Sequence, residues 1–162
     1  MNHTHIQKIQ ISAAIITVSS TRNVENDSSG AMISTLLTTA GISISHYAIV
    51  PDRVEAIRNE LYAAMKIANC IIINGGTGLT HDDCTIEAIF PLLEKKIDGF
   101  GEFFRIKSLQ EIGTAAMLSR AIAGVMYGKA IFCIPGSTPA VTLATKELIL
   151  PEVAHILSHA NR

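Results

Sequence analysis

Three short runs of aliphatic and β-branched residues recur along this chain, and a polar or glycine-rich segment follows each of them. The runs are residues 9–18 (IQISAAIITV), 70–73 (CIII) and 130–134 (AIFCI). Short apolar runs of this kind are typical of strands that are buried on both faces of a parallel sheet. The chain is therefore constrained to an α/β architecture in which helices cover both faces of the sheet.

The segments between the first two runs continue this alternation. A helix is predicted over residues 31–40, with Gly41 as its C-cap, and a strand over residues 42–49. A second helix follows the break at Pro51. Its apolar side chains share one face at helical spacing, namely Val54, Ile57, Leu61, Ala64 and Ala68.

Further along the chain the pattern is less regular. After the glycine-rich segment a helix is predicted to about Leu93, and residues 98–108 (DGFGEFFRIKS) read as irregular. Residues 117–128 (MLSRAIAGVMYG) are predicted to form a helix rich in small side chains. The last helix or helices cover residues 141–157, and Pro151 predicts a break or restart.

Composition narrows the class of protein. The chain has 162 residues, 48% apolar and 17% charged, with a net charge of −1. One domain over residues 9–160 is expected after a flexible N-terminus of residues 1–8. The charge balance argues against nucleic acid, and the absence of an 18-residue apolar run argues against a membrane span.

The cysteines and the N-terminus favour a cytoplasmic protein. Cys70, Cys84 and Cys133 are odd in number and lack C-x-x-C spacing, which argues against structural zinc and a disulfide framework. Residues 1–10 lack the apolar core of a signal peptide. Reduced thiols in the cytoplasm are therefore expected.

Ligands of α/β sheets bind outside the carboxyl ends of the strands. Four polar segments gather there, residues 19–30, 51–53, 74–85 and 135–139. The third contains Gly75, Gly76, Thr77 and Gly78, which match neither a P-loop nor a dinucleotide fingerprint. This segment is either a backbone nest for an anion or a tight turn that needs positive φ.

Carboxylates accompany this glycine turn. Asp82, Asp83, Thr85 and Glu87 are ordinary residues of a helix N-terminus, where they cap or favour the first turn. Two acids beside an anion site also suggest a divalent cation between carboxylate and phosphate, and Asp52 could complete that site. The residues alone leave both interpretations open.

Two other segments carry candidate anion contacts. One contains Glu102, Arg105, Ser119 and Arg120. Its arginines either hold a phosphate or form ion pairs at a surface or interface. Residues 135–137 (PGS) expose backbone N–H groups before a helix, which suits a second anion contact or a plain connection.

Six fragments, taken together and in order, resemble the MoaB/Mog family of molybdenum cofactor biosynthesis: TVSSTRNVENDSSG, VPD, INGGTGLTHDDCTIEAI, GFGEFFR, EIGTAAMLSRAIAGV and PGSTPAV. They extend from near residue 13 to near residue 157. The short length and the LTHDDCTIEA segment are more similar to the MoaB branch. The resemblance implies a molybdopterin-binding fold, a single-domain three-layer α/β sandwich with a mostly parallel sheet.

The resemblance also implies an activity and a site. Active members of the family use Mg²⁺ and transfer AMP from ATP to the terminal phosphate of molybdopterin, releasing pyrophosphate. By motif position, Asp52 and Asp83 would be the catalytic residues and the metal ligands. The residues that would bind substrate are Ser19, Asp27, Ser29, Gly30, Gly75, Gly76, Thr77, Gly78, Thr85, Glu102, Arg105, Ser119, Arg120, Pro135, Gly136 and Ser137.

The chain departs from the family pattern at two positions. Ile86 stands where proline is common, and Pro139 replaces a lysine that could contact phosphate. The alternative function is a non-catalytic molybdopterin-binding or scaffolding module of the same fold, although retention of Asp52 and Asp83 favours an enzyme. A homo-oligomer is implied, a hexamer rather than a trimer, with other cofactor-biosynthesis enzymes as candidate partners.

Overall fold

A six-stranded sheet in the order β2-β1-β3-β6-β5-β4 forms the centre of the computed structural model, which describes residues 8–162. The strands are β1 (Ser12–Val18), β2 (Ser43–Val50), β3 (Cys70–Asn74), β4 (Lys95–Lys96), β5 (Ile122–Met126) and β6 (Lys129–Ile134). β2, β1, β3 and β6 run parallel, whereas β5 is antiparallel to both of its neighbours, β6 and β4. The predicted mostly parallel sheet is confirmed. The flexible segment predicted for residues 1–8 lies outside the described residues, apart from Lys8.

Helices fill the connections between the strands. They are α1 (Ser28–Thr39), α2 (Val54–Met65), α3 (Thr85–Ile89), α4 (Asp98–Ile112), α5 (Thr138–Ala144) and α6 (Leu150–Ala160). Two 3₁₀ segments cover Phe90–Leu92 and Gly113–Leu118, and a π-helical turn, Thr145–Ile149, joins α5 to α6. Pro151 lies in the first turn of α6, which accounts for the break predicted there.

Alternate residues of the central strands face two separate cores. On one side of β3, Cys70 and Ile72 pack with side chains from α1, α4, α5 and α6. On the other side, Ile71 and Ile73 pack with side chains from α2 and α3. All five residues of β3 are buried. The predicted three-layer sandwich is confirmed.

The helix predicted over residues 31–40 is confirmed, although it begins three residues earlier at Ser28. Asp27 caps its N-terminus by accepting a hydrogen bond from the Gly30 N–H at 3.0 Å. Gly41, with φ of 81°, ends it, as the sequence predicted. No helix within residues 8–162 combines the length and apolar character needed to cross a membrane.

The prediction of an irregular segment at residues 98–108 is wrong, because these residues lie in the 15-residue helix α4. Gly99 and Gly101 argue against a helix in the sequence, because glycine has a low helix propensity. Gly101 is required by packing instead, since a Cβ there would lie 2.5 Å from the Ala121 carbonyl oxygen. Gly99 faces open space. Of the two glycines, only Gly101 thus reflects the close packing of α4 against the segment that leads into β5.

The helix predicted over residues 117–128 is also wrong. The chain forms a 3₁₀ segment to Leu118 and then strand β5. A Cβ at Gly124 would lie 2.5 Å from the Lys95 carbonyl oxygen, so the small side chains allow β4 and α4 to approach β5. Similarly, the helix expected to Leu93 ends at Ile89 and continues as the 3₁₀ turn.

Candidate functional site

A cleft of about 560 Å³ opens at the edge of the sheet where β1, β3 and β6 end. Many of the residues predicted to bind substrate line it, and they come from loops as far apart in the chain as Ser19 and Ser137. The lining residues are Val18, Ser19, Thr21, Arg22, Gly75, Gly76, Thr77, Gly78, Asp83, Leu118, Ser119, Arg120, Pro135, Gly136 and Ser137.

The turn at residues 75–78 requires glycine for conformational and steric reasons. Gly75 and Gly76 have φ of 92° and 67°, values that residues with a side chain rarely adopt. A Cβ at Gly75 would collide with the Val18 carbonyl oxygen, and a Cβ at Gly76 would collide with Thr85 Oγ1. At Gly136 it would lie 3.0 Å from the Gly75 Cα. Gly75 and Gly136 therefore pack backbone against backbone, whereas Gly76 packs against side chains.

This turn also presents free hydrogen-bond donors. The Gly75 N–H donates to the Ile134 carbonyl at 3.0 Å, which anchors the turn to β6. Within residues 8–162, the N–H groups of Gly76, Thr77 and Gly78 donate to no protein acceptor. Successive unpaired N–H groups in a glycine turn suit an anion. The turn thus has both the positive-φ backbone and the donors expected of a nest.

Thr85 lies beneath the turn rather than in the cleft. Its hydroxyl donates to the Gly75 carbonyl at 2.7 Å, and its N–H donates to the Gly76 carbonyl at 2.9 Å. The side chain is fully buried. Thr85, predicted to bind substrate, is therefore placed where it supports the turn.

Two carboxylates lie next to the glycine turn, each with one oxygen engaged. Asp52 Oδ2 accepts from the Ser20 N–H at 3.0 Å and from the Ser20 hydroxyl at 2.8 Å. Asp83 Oδ2 accepts in the same way from the Thr80 N–H and hydroxyl, at 3.0 and 2.8 Å. The Oδ1 atom of each carboxylate has no hydrogen-bond partner within the described residues. Both side chains are thus held in place with an oxygen to spare.

The pKa of the Cys84 thiol reflects the negative charge around the glycine turn. Partial burial raises the pKa of the Cys84 thiol, and the charges of Asp52, Glu87, Asp83 and Asp82 raise it further. Such a field attracts cations. In the part of the chain that the structure describes, no three His, Cys, Asp or Glu side chains are grouped to hold a metal ion. A cation here would therefore depend on two carboxylates and on oxygens of the ligand.

Arg120 braces the glycine turn from outside. Its Nε donates to the Thr77 carbonyl and its Nη2 donates to the Gly78 carbonyl, both at 2.8 Å. Its Nη1 lies 2.6 Å from Glu87 Oε1. The hydrogen bond from Arg120 lowers the pKa of Glu87. Arg120, predicted to bind substrate, lines the cleft but directs most of its donors to the protein.

Asp27 lies behind the cleft in a buried polar network. Its carboxylate accepts from Thr17 Oγ1 at 2.6 Å, from the Tyr47 hydroxyl and from the Gly30 N–H. Burial would raise the pKa of Asp27, but hydrogen bonds from Thr17, Tyr47 and Gly30 and the nearby charge of Arg22 lower it. Burial of Tyr47, together with its hydrogen bond to the Asp27 carboxylate and the charge of that carboxylate, raises the pKa of the Tyr47 hydroxyl. Asp27, which was predicted to bind substrate, does not line the cleft.

Ser29 and Gly30 share that position behind the cleft. Both residues are fully buried. Ser29 Oγ donates to the Gly136 carbonyl, which ties the start of α1 to the turn at residues 135–137. A Cβ at Gly30 would meet Tyr47 at 2.8 Å. These two residues support the cleft from behind and do not line it.

Glu102 and Arg105 line a second, smaller cavity of about 390 Å³. Arg120 lines both cavities, so the two are neighbours. Arg105 Nη1 lies 3.5 Å from the Ser119 carbonyl, and Lys96 Nζ lies 3.9 Å from the centre of the Phe90 ring. Some predicted site residues thus line the cleft and some line this cavity, whereas neither is lined by Asp27, Ser29, Gly30, Asp52 or Thr85.

Arg22 and Thr21 also line the cleft, although neither was among the predicted site residues. Both follow β1 within the polar segment at residues 19–30. The N–H groups of Thr21 and Arg22 donate to Ser19 Oγ at 3.3 and 3.1 Å, which folds the segment back over the strand end. A cation directly after a parallel strand was the signal available in the sequence.

The chain is similar to known proteins over most of its length. The family model described as a probable molybdopterin binding domain matches residues 14–155. The chain is 49% identical over 146 residues to the molybdenum cofactor biosynthesis protein B of Halalkalibacterium halodurans, covering 88% of this chain and 86% of that protein.

Solved structures show the same likeness. A crystal structure of molybdenum cofactor biosynthesis protein B superposes with a TM-score of 0.91 at 44% identity, covering 95% of this chain and 98% of the other. The tungsten cofactor synthesizing protein MoaB from Pyrococcus furiosus superposes with a TM-score of 0.86 at 38% identity. That alignment covers 94% of this chain and 98% of the other.

Proposed function

The chain belongs to the molybdopterin-binding domain family of molybdenum cofactor biosynthesis, and we propose that it is a molybdopterin adenylyltransferase that transfers AMP from ATP to molybdopterin. The observation that carries this proposal is the pairing of two features at the glycine turn. The unpaired N–H groups of residues 76–78 suit phosphate, and the spare oxygens of Asp52 and Asp83 suit a cation that accompanies phosphate.

The donor set fits Mg²⁺, which prefers carboxylate oxygens and is commonly bound by one or two carboxylates together with substrate phosphates. Asp52 and Asp83 are the residues that would hold it, each through its Oδ1 atom. When bound, Mg²⁺ would offset the charge of both substrates and of the departing pyrophosphate. Ser20 and Thr80 keep the two carboxylates oriented by two hydrogen bonds each.

The reaction needs little acid–base chemistry from the protein. An oxygen of the terminal phosphate of molybdopterin attacks the α-phosphorus of ATP, and the bond from that phosphorus to pyrophosphate breaks, with pyrophosphate keeping the electron pair. The attacking phosphate is an anion at neutral pH, so no side chain has to remove a proton. The work of the chain is to bring two anions together, which costs several kcal/mol without compensating charge.

The glycine turn would supply that positioning. Its N–H groups can donate to phosphate oxygens while Arg120 and Thr85 keep the turn from moving. Donors that are oriented before the ligand arrives stabilise developing negative charge without reorganisation. The adjoining 390 Å³ cavity, with Arg105 and Glu102, gives room for a second part of the substrates.

A pyrophosphate-release assay tests the proposal. The purified protein is mixed with molybdopterin, ATP and Mg²⁺, and pyrophosphate is followed over time alongside calorimetric titration of molybdopterin alone. An adenylyltransferase releases pyrophosphate only when both substrates are present. Molybdopterin binding without pyrophosphate release would instead support the non-catalytic binding or scaffolding module.

The proposed function includes a location in the cytoplasm and assembly as a homo-oligomer, with a hexamer favoured over a trimer. All three cysteines are free, as expected for a reducing compartment. Helix α4 and the following 3₁₀ segment expose an apolar surface that supports association. We call it the α4 surface, and it consists of Phe103, Ile106, Leu109, Ile112, Met117 and Leu118. Other enzymes of cofactor biosynthesis are further candidate partners.

A further inference from the structure

Two arginines line the cleft, and their guanidinium groups are used differently. Arg120 directs Nε, Nη1 and Nη2 to protein oxygens, so four of its N–H···O contacts are made within the chain. Among residues 8–162, Arg22 makes its side-chain hydrogen bonds through Nη1 alone. The two residues therefore differ in how many donors remain for a ligand.

The contacts of Arg22 are also longer. Nη1 lies 2.9 Å from Ser29 Oγ, 3.4 Å from the Gly136 carbonyl and 3.5 Å from Asp27 Oδ1. Hydrogen bonds at the last two distances are weak. Within the described residues, Nε and Nη2 donate to no acceptor, and one third of the side chain is exposed. The edge of the guanidinium formed by Nε and Nη2 is therefore available.

Asp27, the acidic neighbour of Arg22, does not depend on it. Thr17, Tyr47 and the Gly30 N–H already donate to the Asp27 carboxylate. These hydrogen bonds contribute more to the lowered pKa of Asp27 than the charge of Arg22 does. Movement of the Arg22 guanidinium by a short distance towards a ligand would therefore leave Asp27 with its hydrogen bonds.

The backbone of Arg22 is anchored at the same time. Its N–H donates to Ser19 Oγ at 3.1 Å, and the neighbouring Ser20 is tied to Asp52. The side chain thus starts from a fixed point beside the cleft, and its planar fork matches two oxygens of one phosphate.

We infer that Arg22 is the side chain that binds a substrate phosphate in this cleft, through Nε and Nη2, and that Arg120 is a positioning residue for the glycine turn. The assignment of that phosphate to ATP or molybdopterin rests on the proposed function. The binding of a phosphate group by Arg22 does not.

Calorimetric titration with inorganic pyrophosphate, and separately with ATP, tests the inference on the full-length protein. Arg22→Gln removes the charge at similar length and should weaken binding on the order of 10- to 100-fold, the loss expected for charge-assisted hydrogen bonds. Arg22→Lys keeps the charge without the fork and should recover only part of that loss. Lys66→Gln removes one exposed charge from the far end of α2 and should bind as the wild type does.

Thermal unfolding without ligand separates binding from support. Arg22→Gln should unfold near the wild-type temperature, whereas Arg120→Gln should unfold earlier because it abandons the Thr77 and Gly78 carbonyls. The inference is overturned if Arg22→Gln binds pyrophosphate normally, or if it loses as much stability as Arg120→Gln. Wild-type protein that binds neither ligand would also overturn it. Arg22-dependent binding without adenylylation would leave this inference standing and reject the proposed function.

Discussion

Arg120 and Glu87 form a two-pronged ion pair outside the glycine turn, with Nη1–Oε1 at 2.6 Å and Nη2–Oε2 at 3.3 Å. The Glu87 side chain is 52% exposed, so the pair itself adds little to stability. The same guanidinium also holds the Thr77 and Gly78 carbonyls. Its structural value lies in those carbonyls rather than in the ion pair.

Arg120→Gln is therefore expected to cost about 1–3 kcal/mol of unfolding free energy, because two carbonyls lose their donors. Glu87→Gln, the matched variant, should cost less than about 1 kcal/mol. Urea unfolding of both variants measures the difference. Equal losses would mean that the ion pair, not the contact with the turn, carries the stabilisation.

Asp83→Asn should leave folding and molybdopterin binding near normal while turnover falls on the order of 10²-fold or more, by analogy with the loss of one electrostatic stabiliser. Asparagine keeps the shape and can still accept from Thr80. Asp52→Asn is expected to behave similarly. Asp82→Asn is the control and should lose much less, so rates of pyrophosphate release that fall equally at positions 82 and 83 would refute the assignment.

Gly76→Ala should weaken both folding and molybdopterin binding. Its φ of 67° costs a residue with a Cβ about 1–2 kcal/mol, and the new Cβ displaces Thr85. Gly99→Ala, in open space on α4, is the control and should stabilise by up to about 1 kcal/mol. Urea unfolding and calorimetric titration check both variants. A Gly76→Ala protein with wild-type stability and affinity would exclude a tight turn at this site.

Acid should destabilise the protein partly through Asp27. Its folded-state pKa is lowered from the ordinary value of 3.8, so the unfolded chain takes up this proton first as the pH falls. The stabilisation is therefore complete above about pH 5 and is lost as the pH falls through 3.8 towards the folded-state pKa. Asp27→Asn should lower stability at pH 7 and flatten the decline measured by urea unfolding between pH 5 and 3. An unchanged slope would mean that Asp27 is not the linked group.

The homo-oligomer is expected to depend on the α4 surface. Phe103 and Ile106 are 59% and 58% exposed, which is unusual for neighbouring large apolar side chains on one helix. Phe103→Ser with Ile106→Asp should produce smaller particles in light scattering. Tyr62→Ser, at an exposed aromatic on α2, should not. A wild-type protein that stays monomeric at micromolar concentration would refute association altogether.

The sequence predicted the fold best where two signals agreed. β1, β3 and β6 are short, apolar and followed by polar segments, and the structure places their carboxyl ends around the cleft. Gly41 and Pro151 also mark ends of elements, because glycine permits the positive φ that ends α1 and proline fixes φ at the start of α6. Local chemistry was sufficient at these positions.

Predictions failed where tertiary packing decided the choice of residue. The glycines and alanines of residues 99–124 were taken as irregular or helical, but Gly101 and Gly124 are small because α4 and β4 approach β5. Conversely, Asp27 and Thr85 carried motif signals for substrate, although both are buried in support of the site. A sequence motif indicates that a residue type is needed at a position, but it does not show whether the side chain lines the cleft or supports it from behind.

The cleft joins parts of the chain that are made at very different times. Arg22 and Gly136 meet there although they are 114 positions apart, and the pairing of β6 with β3 places Gly136 at the cleft. Contacts of such long range form late, because the intervening chain has to be ordered first. A refolding protein should therefore acquire ligand binding in its slowest phase, and a chain emerging from the ribosome should stay unable to bind until β6 has been released.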